Sequence, residues 1–396
     1  MNQPERRQST RSVAPFVVVF AAGLWTGVVS PANAQDPAPV SSGEACGRSA
    51  AVIEKGLRFL AATQQTDGGW LLTDRSDPAI TALAVQGFIQ SPGYGREHPV
   101  VGRAIRFMTA YVQPDGGIYV PDAGYGNYQT SVCLMALAAL NDPGHADMRA
   151  RAQAFLKKGQ WDENEDHDRE SVWFGGAGYG KSKRPDLSNT QLMLEALKQS
   201  GLPADDPVYQ QALVFVSRSQ MSSGTNDQAF ARGANDGGFI YSPANGGESK
   251  AGEVVIEGRP MLRSYGSMTY AGFKSLLYAN VNRDDARVKS AWEWIREHYT
   301  LDENPNMPGA QSQEGLYYFY HVFARALDAW GEEVVVDGHG RSHRWREELC
   351  AKLAGLQNDD GSWVNPKDRW YEGNPYLVTA YAVLALETVV GRDQGT

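Results

Sequence analysis

The stretch QQTDGGW, Gln64 to Trp70, ends an apolar run with two amides, an aspartate, two glycines and a tryptophan, and it recurs. Aligned on the Asp-Gly pair it returns as YVQPDGGIYV at Asp115, GANDGGFIYS at Asp236 and LQNDDGSWVN at Asp360. Weaker copies are SVWFGGAGYG at Gly175 and YTLDENPNMPG at Asp302. Units spaced by roughly 50 to 65 residues mark a repeat architecture. Before each turn the sequence predicts an amphipathic helix, as in AVIEKGLRFLAATQQ, where Val52, Leu57, Leu60 and Ala61 share one face. After each turn comes a helix apolar almost all round, such as AITALAVQGFI, SVCLMALAAL or VTAYAVLALETVV. A helix without a polar face has to be surrounded. The first helix of each unit is therefore an outer wall and the second an inner wall. Asp at the turn accepts backbone amides and Gly takes a positive φ, so the repeated stretch is structural.

Six such hairpins form either an open solenoid or a ring. No polar capping repeat stands at either end, which favours closure. The expected fold is thus all-α, an (α/α)6 toroid filling residues 35–396 as one domain. Closure makes the first and sixth outer helices neighbours. That puts Cys46 and Cys350 in position to form a disulfide, while Cys133, inside SVCLMALAAL, reads as a buried thiol.

Residues 1–34 read as a signal peptide. Arg6, Arg7 and Arg11 precede the apolar run VAPFVVVFAAGLWTGVVS, and the ANA at Ala32 to Ala34 fits a cleavage site. Export is the expected localisation, periplasmic or extracellular. The formal net charge of -9 becomes more negative once a leader with three Arg and one Glu is removed, which argues against nucleic acid as a partner. No later stretch is apolar enough to cross a membrane.

EKGLRFLAATQQTDGGW and AKLAGLQNDDGSW resemble the Gln-Trp repeats of the squalene and oxidosqualene cyclases, and more broadly the prenyltransferase repeat superfamily. The resemblance implies a toroid around a central cavity that binds a small molecule or lipid, with an isoprenoid as the implied class. In the class II cyclases the third inner helix begins Asp-x-Asp-Asp-Thr, and the middle Asp protonates the substrate. Here RPDLSNTQLMLEAL aligns Asp186 with the first Asp and Ser188 with the proton donor, followed by Asn189 and Thr190. A serine hydroxyl is far too weak an acid for that step. Protonation-initiated cyclisation is therefore not expected unless another acid substitutes. The zinc of the prenyltransferase β-subunits lacks its ligands too: His321 in YYFYHVFARAL has no Asp-x-Cys partner, and one histidine is not a zinc site. WDENEDHDRE fails the EF-hand pattern, with His167 at the required Gly and Trp173 at the closing Glu. No metal and no cofactor is expected.

The candidate residues are polar groups expected to converge on one mouth of the ring. Asp186, His321 and Tyr318 are the candidates for chemistry. Tyr179, Arg184, Asn189, Glu257, Arg259 and Tyr265 are the candidates for ligand binding, the last three in an elaborated rim loop, EVVIEGRPMLRSYGSMTYAG. Asp186 has a structural alternative as a helix N-cap, beside which an anion can bind. Two further functions stay open. One is an exported polysaccharide lyase or hydrolase, which needs an open cleft lined by Trp and Arg; the other is a non-catalytic scaffold.

Overall fold

The computed structural model describes residues 42–180 and 183–391, apart from the side chains of 42–48 and of residue 165. The expected leader and cleavage site lie outside the described residues. Twelve α-helices are present among the described residues: α1 (Ser42–Thr63), α2 (Pro78–Gln90), α3 (Pro99–Thr109), α4 (Gly126–Leu140), α5 (Ala146–Lys158), α6 (Leu187–Gln199), α7 (Pro207–Arg218), α8 (Gly266–Tyr278), α9 (Ala286–Glu297), α10 (Leu316–Trp330), α11 (Trp345–Leu356) and α12 (Pro375–Val390). The six even-numbered helices pack in a closed cycle, each against the next, and α12 returns to α2. The odd-numbered helices lie outside them, with α1 beside both α11 and α12. The fold is the all-α toroid of six hairpins that the repeats predict.

Burial follows the two kinds of helix. In α2 every residue from Pro78 to Phe88 is buried, whereas α3 buries only Val100, Val101, Ala104, Ile105 and Met108. The turn residues act as the sequence suggests. Asp67, Asp115, Asp236 and Asp360 each accept the amide two residues on, at 2.9–3.0 Å. Their conserved geometry extends to the degenerate third copy. Gly175 has φ +80°, and a Cβ there would fall 1.9 Å from the carbonyl oxygen of Gln211 on α7, so no side chain fits.

The glutamine before four of the six turns supplies a tie that the sequence did not disclose. Gln64 donates to Gly68 O and to Val100 O of the next outer helix, at 2.9 and 3.0 Å. Gln160 and Gln220 make the same pair of bonds to the turn and to α7 and α9. Gln357 completes the set by donating to Gly361 O and to Val52 O of α1, both at 3.0 Å. The seam is thus joined by the bond used at other junctions. A threonine on each of five inner helices also accepts the amide that follows the turn, among them Thr81, Thr130 and Thr190 at 2.9–3.1 Å. Thr190 is therefore a repeat residue and says nothing about an acid motif. In the fifth unit Tyr320 takes this place and donates to Leu301 O at 2.7 Å.

Two details differ from expectation. The connections carry three small antiparallel sheets: β1 (Gln220–Ser222) with β2 (Asn235–Phe239), β3 (Glu253–Ile256) with β4 (Arg259–Leu262), and β5 (Val335–Val336) with β6 (Ser342–His343). The presumed irregular rim loop is thus a β3–β4 hairpin. Glu257 and Gly258 at its tip have φ +50° and +78°, the two left-handed residues of a type I′ turn. The Cys46 side chain lies outside the described residues, and with it the Cys46–Cys350 pairing. Cys350 is buried and its Sγ accepts the Ser49 hydroxyl at 2.8 Å.

Candidate functional site

Each Asp-Gly turn joins an outer helix to the N-terminus of an inner one, so all six inner N-termini and their connecting loops face the same mouth. A cavity of about 470 Å³ opens there, within the usual range for small-molecule sites. Its wall takes residues from every inner helix or the residue that caps it: Ile80, Tyr128, Ser188, Leu192, Met268, Tyr318, Leu377 and Tyr381 among them. Eight tyrosines line it, with one tryptophan and no arginine among the described residues.

Helix N-termini are natural anion sites, but here their amides are taken. Asp77 accepts Ala79 N and Ile80 N on α2 at 2.8 and 3.2 Å. The Tyr179 carbonyl accepts Asn127 N and Tyr128 N on α4. On α6, Leu187 N goes to Tyr241 O and Asn189 N to Asp186 Oδ1. Asn304 Oδ1 and Pro305 O serve α8, Glu372 serves α10, and Asn374 serves α12. At the α6 end Tyr241 O and Asp186 Oδ1 thus take the Leu187 and Asn189 amides that an anion beside Asp186 would use.

Asp186 is 2% exposed and stands behind the wall, not in it. Burial pushes its carboxyl up to about 6, against the hydrogen bonds from Asn189 and Tyr241. Asn189 spends its side-chain amide on both Asp186 oxygens, at 3.1 and 2.9 Å, and is likewise a capping residue. Ser188 does face the cavity. Its hydroxyl and that of Tyr318 lie 2.9 Å apart, and Gln191 Nε2 donates to Tyr318 Oη at 3.2 Å. Of the other expected residues, Tyr179, Tyr265 and Tyr318 line the cavity.

Arg184, Glu257, Arg259 and His321 do not. Arg184 pairs with Glu248 and lies 5.6 Å from the Tyr241 ring centroid at the rim. Glu257 and Arg259 sit exposed at the hairpin, because the alternation of a two-stranded ribbon carries its tip into solvent. Arg263 instead braces the hairpin base, donating to Asn306 Oδ1 at 3.3 Å. His321 is one turn below Tyr318, buried and stacked on Tyr381 at 5.5 Å, and its Nδ1 has no partner. Burial, with Arg325 next, holds the ring down to about 3, so it is neutral near pH 7. Beneath it Lys274 Nζ and Glu195 Oε2 form an ion pair of 2.5 Å with both side chains 1% exposed, and Arg325 lies 3.6 Å from the other oxygen.

Among the wall residues that sequence reasoning missed are two carboxylates, Asp77 and Glu372. Asp77 Oδ2 accepts Gln129 Nε2 at 2.8 Å, and burial raises its pKa. Glu372 is 1% exposed. Its Oε1 accepts Tyr318 N at 2.8 Å, and Oε2 accepts Tyr317 N at 3.3 Å and Asn365 Nδ2 at 2.7 Å. Burial pushes Glu372 up to about 7 despite those bonds. It follows Trp370 and Tyr371, two consecutive aromatic residues at φ +59° and +65° that also line the cavity. Left-handed backbone at non-glycine residues costs of order 1 kcal/mol each and clusters at ligand clamps. The only sequence signal was the run WYEGNPY, which ties an acid to two aromatics just before the last inner helix. The hollow expected to lack an acid therefore has two in its wall.

The ring of paired helices with its mouth-side cavity defines an α/α toroid of six helical hairpins. No protein-family model and no curated protein matches the chain. Solved structures do. The type II terpene cyclase MstE from Scytonema has 14% identity over 87% of this chain and 99% of that one, with a TM-score of 0.52. A D-mannose isomerase has 10% identity over 89% and 99%, with a TM-score of 0.56. The cellobiose 2-epimerase of Spirochaeta thermophila DSM 6192 has 14% identity over 90% and 100%, with a TM-score of 0.52. At these identities the likeness carries the fold alone, since one toroid serves unrelated chemistries.

Proposed function

We propose that the protein is exported and holds a mostly apolar small molecule, isoprenoid in class, in the mouth-side cavity, without using an aspartate at the family's protonating position. The observation that carries this reading is the wall itself, tyrosines and aliphatic side chains from all six inner helices around about 470 Å³. Ser188 stands at the protonating position, and its hydroxyl is engaged with Tyr318. A polysaccharide lyase needs a cation such as arginine to neutralise uronic carboxylates, and no arginine is among the described lining residues, which favours the apolar ligand. A packed scaffold would leave no such hollow. The test is mass spectrometry of whatever is extracted from the native protein, with fractionation of the producing cells. A bound isoprenoid on the exported chain supports the reading, whereas uronic oligosaccharides or an empty cavity would overturn it.

A further inference from the structure

We infer that the ligand of this cavity carries a positive charge: an organic cation, of the ammonium type, on an apolar body. The inference rests on the cavity being a ligand site and adds the chemical class. Its first support is the distribution of charge. Of the described charged residues in the wall, the buried one is a carboxylate, Glu372, and a second carboxylate, Asp77, is half-buried. Among the described residues the wall cations are Lys183, which is exposed, and Lys250, which is half-buried and already paired with Glu248, both in connecting loops. The second support is the helix ends. At each inner helix two first-turn amides are taken by internal acceptors, so an anionic ligand would meet two carboxylates where a row of donors would otherwise stand. The third is the rings. Lys250 Nζ lies 4.5 Å from the Tyr241 centroid, so a wall tyrosine already receives a cation on its face. Tyrosine faces attract ammonium groups most strongly where water is excluded.

Glu372 is the group a cation would relieve. From α10 it is faced by Tyr317, Tyr318 and Tyr320, from α12 by Tyr381, and from its own loop by Asn365, all uncharged. The nearest ion pair, Arg369 with Glu314, is at the rim. A bound cation therefore favours the ionised carboxylate and expels its proton. Sign and size follow. With the carboxyl titrating at about 7 in the free protein, affinity for a cation rises about tenfold from pH 6 to pH 8, the change in ionised fraction.

The experiment uses three ligands of nearly one shape: benzyltrimethylammonium, the neutral neopentylbenzene and the anionic benzylsulfonate, titrated calorimetrically into the full chain at pH 6 and pH 8. The expected result is that the ammonium binds at least about tenfold more tightly than the hydrocarbon at pH 8, one decade being a modest sum of ring and carboxylate contacts. The ammonium alone should weaken at pH 6, and the Glu372→Gln variant should lose that pH dependence. Equal binding of ammonium and hydrocarbon, or preference for the sulfonate, overturns the charge inference while leaving the cavity as a ligand site. Binding of none of the three overturns both. Because the wild-type pH comparison needs no variant, a misfolded Glu372→Gln would not blunt the test.

Discussion

Replacing Glu372 by glutamine should change how stability depends on pH, and the size of the change follows from its surroundings. The carboxyl is 1% exposed and its pKa stands at about 7 against an ordinary 4.5, because burial disfavours the charge more than Asn365 and the amides of Tyr318 and Tyr317 favour it. A shift of 7 minus 4.5 pH units corresponds to about 3 kcal/mol. The sign is that of an acid whose pKa is raised by folding. The stabilisation is fully present below pH 4.5 and is lost as pH climbs from there through 7. Glutamine keeps an acceptor for Tyr318 N but cannot titrate. Urea unfolding of both proteins at pH 5 and pH 8 should therefore show the wild type losing about 3 kcal/mol relative to the variant as pH rises. Asp186, also raised by burial, titrates in both proteins and cancels in the difference. A wild-type minus variant difference that is the same at both pH values would refute the reasoning.

Three other perturbations probe the ring. Gln357→Ala removes the seam bond to Val52 O and the turn bond to Gly361 O, and should cost about 2 kcal/mol in urea unfolding, much as Gln64→Ala should at an internal junction. A negligible cost would mean that the seam does not depend on this tie. Lys274→Met strands Glu195 in the interior with Arg325 as its one neighbouring cation and the Gln199 amide as donor, and should cost about 3–5 kcal/mol, most of it recovered in the Lys274→Met/Glu195→Leu double variant, as read from a double-mutant cycle. Gly175→Ala meets the Gln211 carbonyl and a positive φ at once, and a loss of at least about 3 kcal/mol is expected from thermal unfolding.

The repeats made the architecture legible because each states two things locally: a turn chemistry and a change from a one-sided to an all-round apolar helix. Six such statements admit few packings, and the observed ring is the one that leaves no apolar helix exposed. The third-unit motif was legible in the same way. The capping role of Asp186 and the mouth-side placement of Ser188 follow from their position at the start of an inner helix.

The candidate site was legible only in part. Tyr265 and Tyr318 stand within a few residues of inner N-termini, and Tyr179 in the loop that leads to one, where the repeat already places the mouth. His321 stands only three residues past Tyr318, but nearly one helical turn carries it from the cavity into the layer of Glu195 and Lys274. Glu257 and Arg259 looked like rim residues because a charged, irregular stretch near a mouth reads as ligand-binding; pairing into a ribbon took them outward instead.

By itself the sequence determined which helices are inner and outer, where the chain turns, and which end of each hairpin carries polar residues, since these are set by contacts between near neighbours in the chain. Only the tertiary structure decided that Asp77 and Glu372 enter one wall, that Gln357 reaches Val52, and that the helix ends are already filled. The first two of those facts join residues from opposite ends of the chain. Their chemistry, above all a carboxyl held near neutrality, comes from the water that closing the ring excludes.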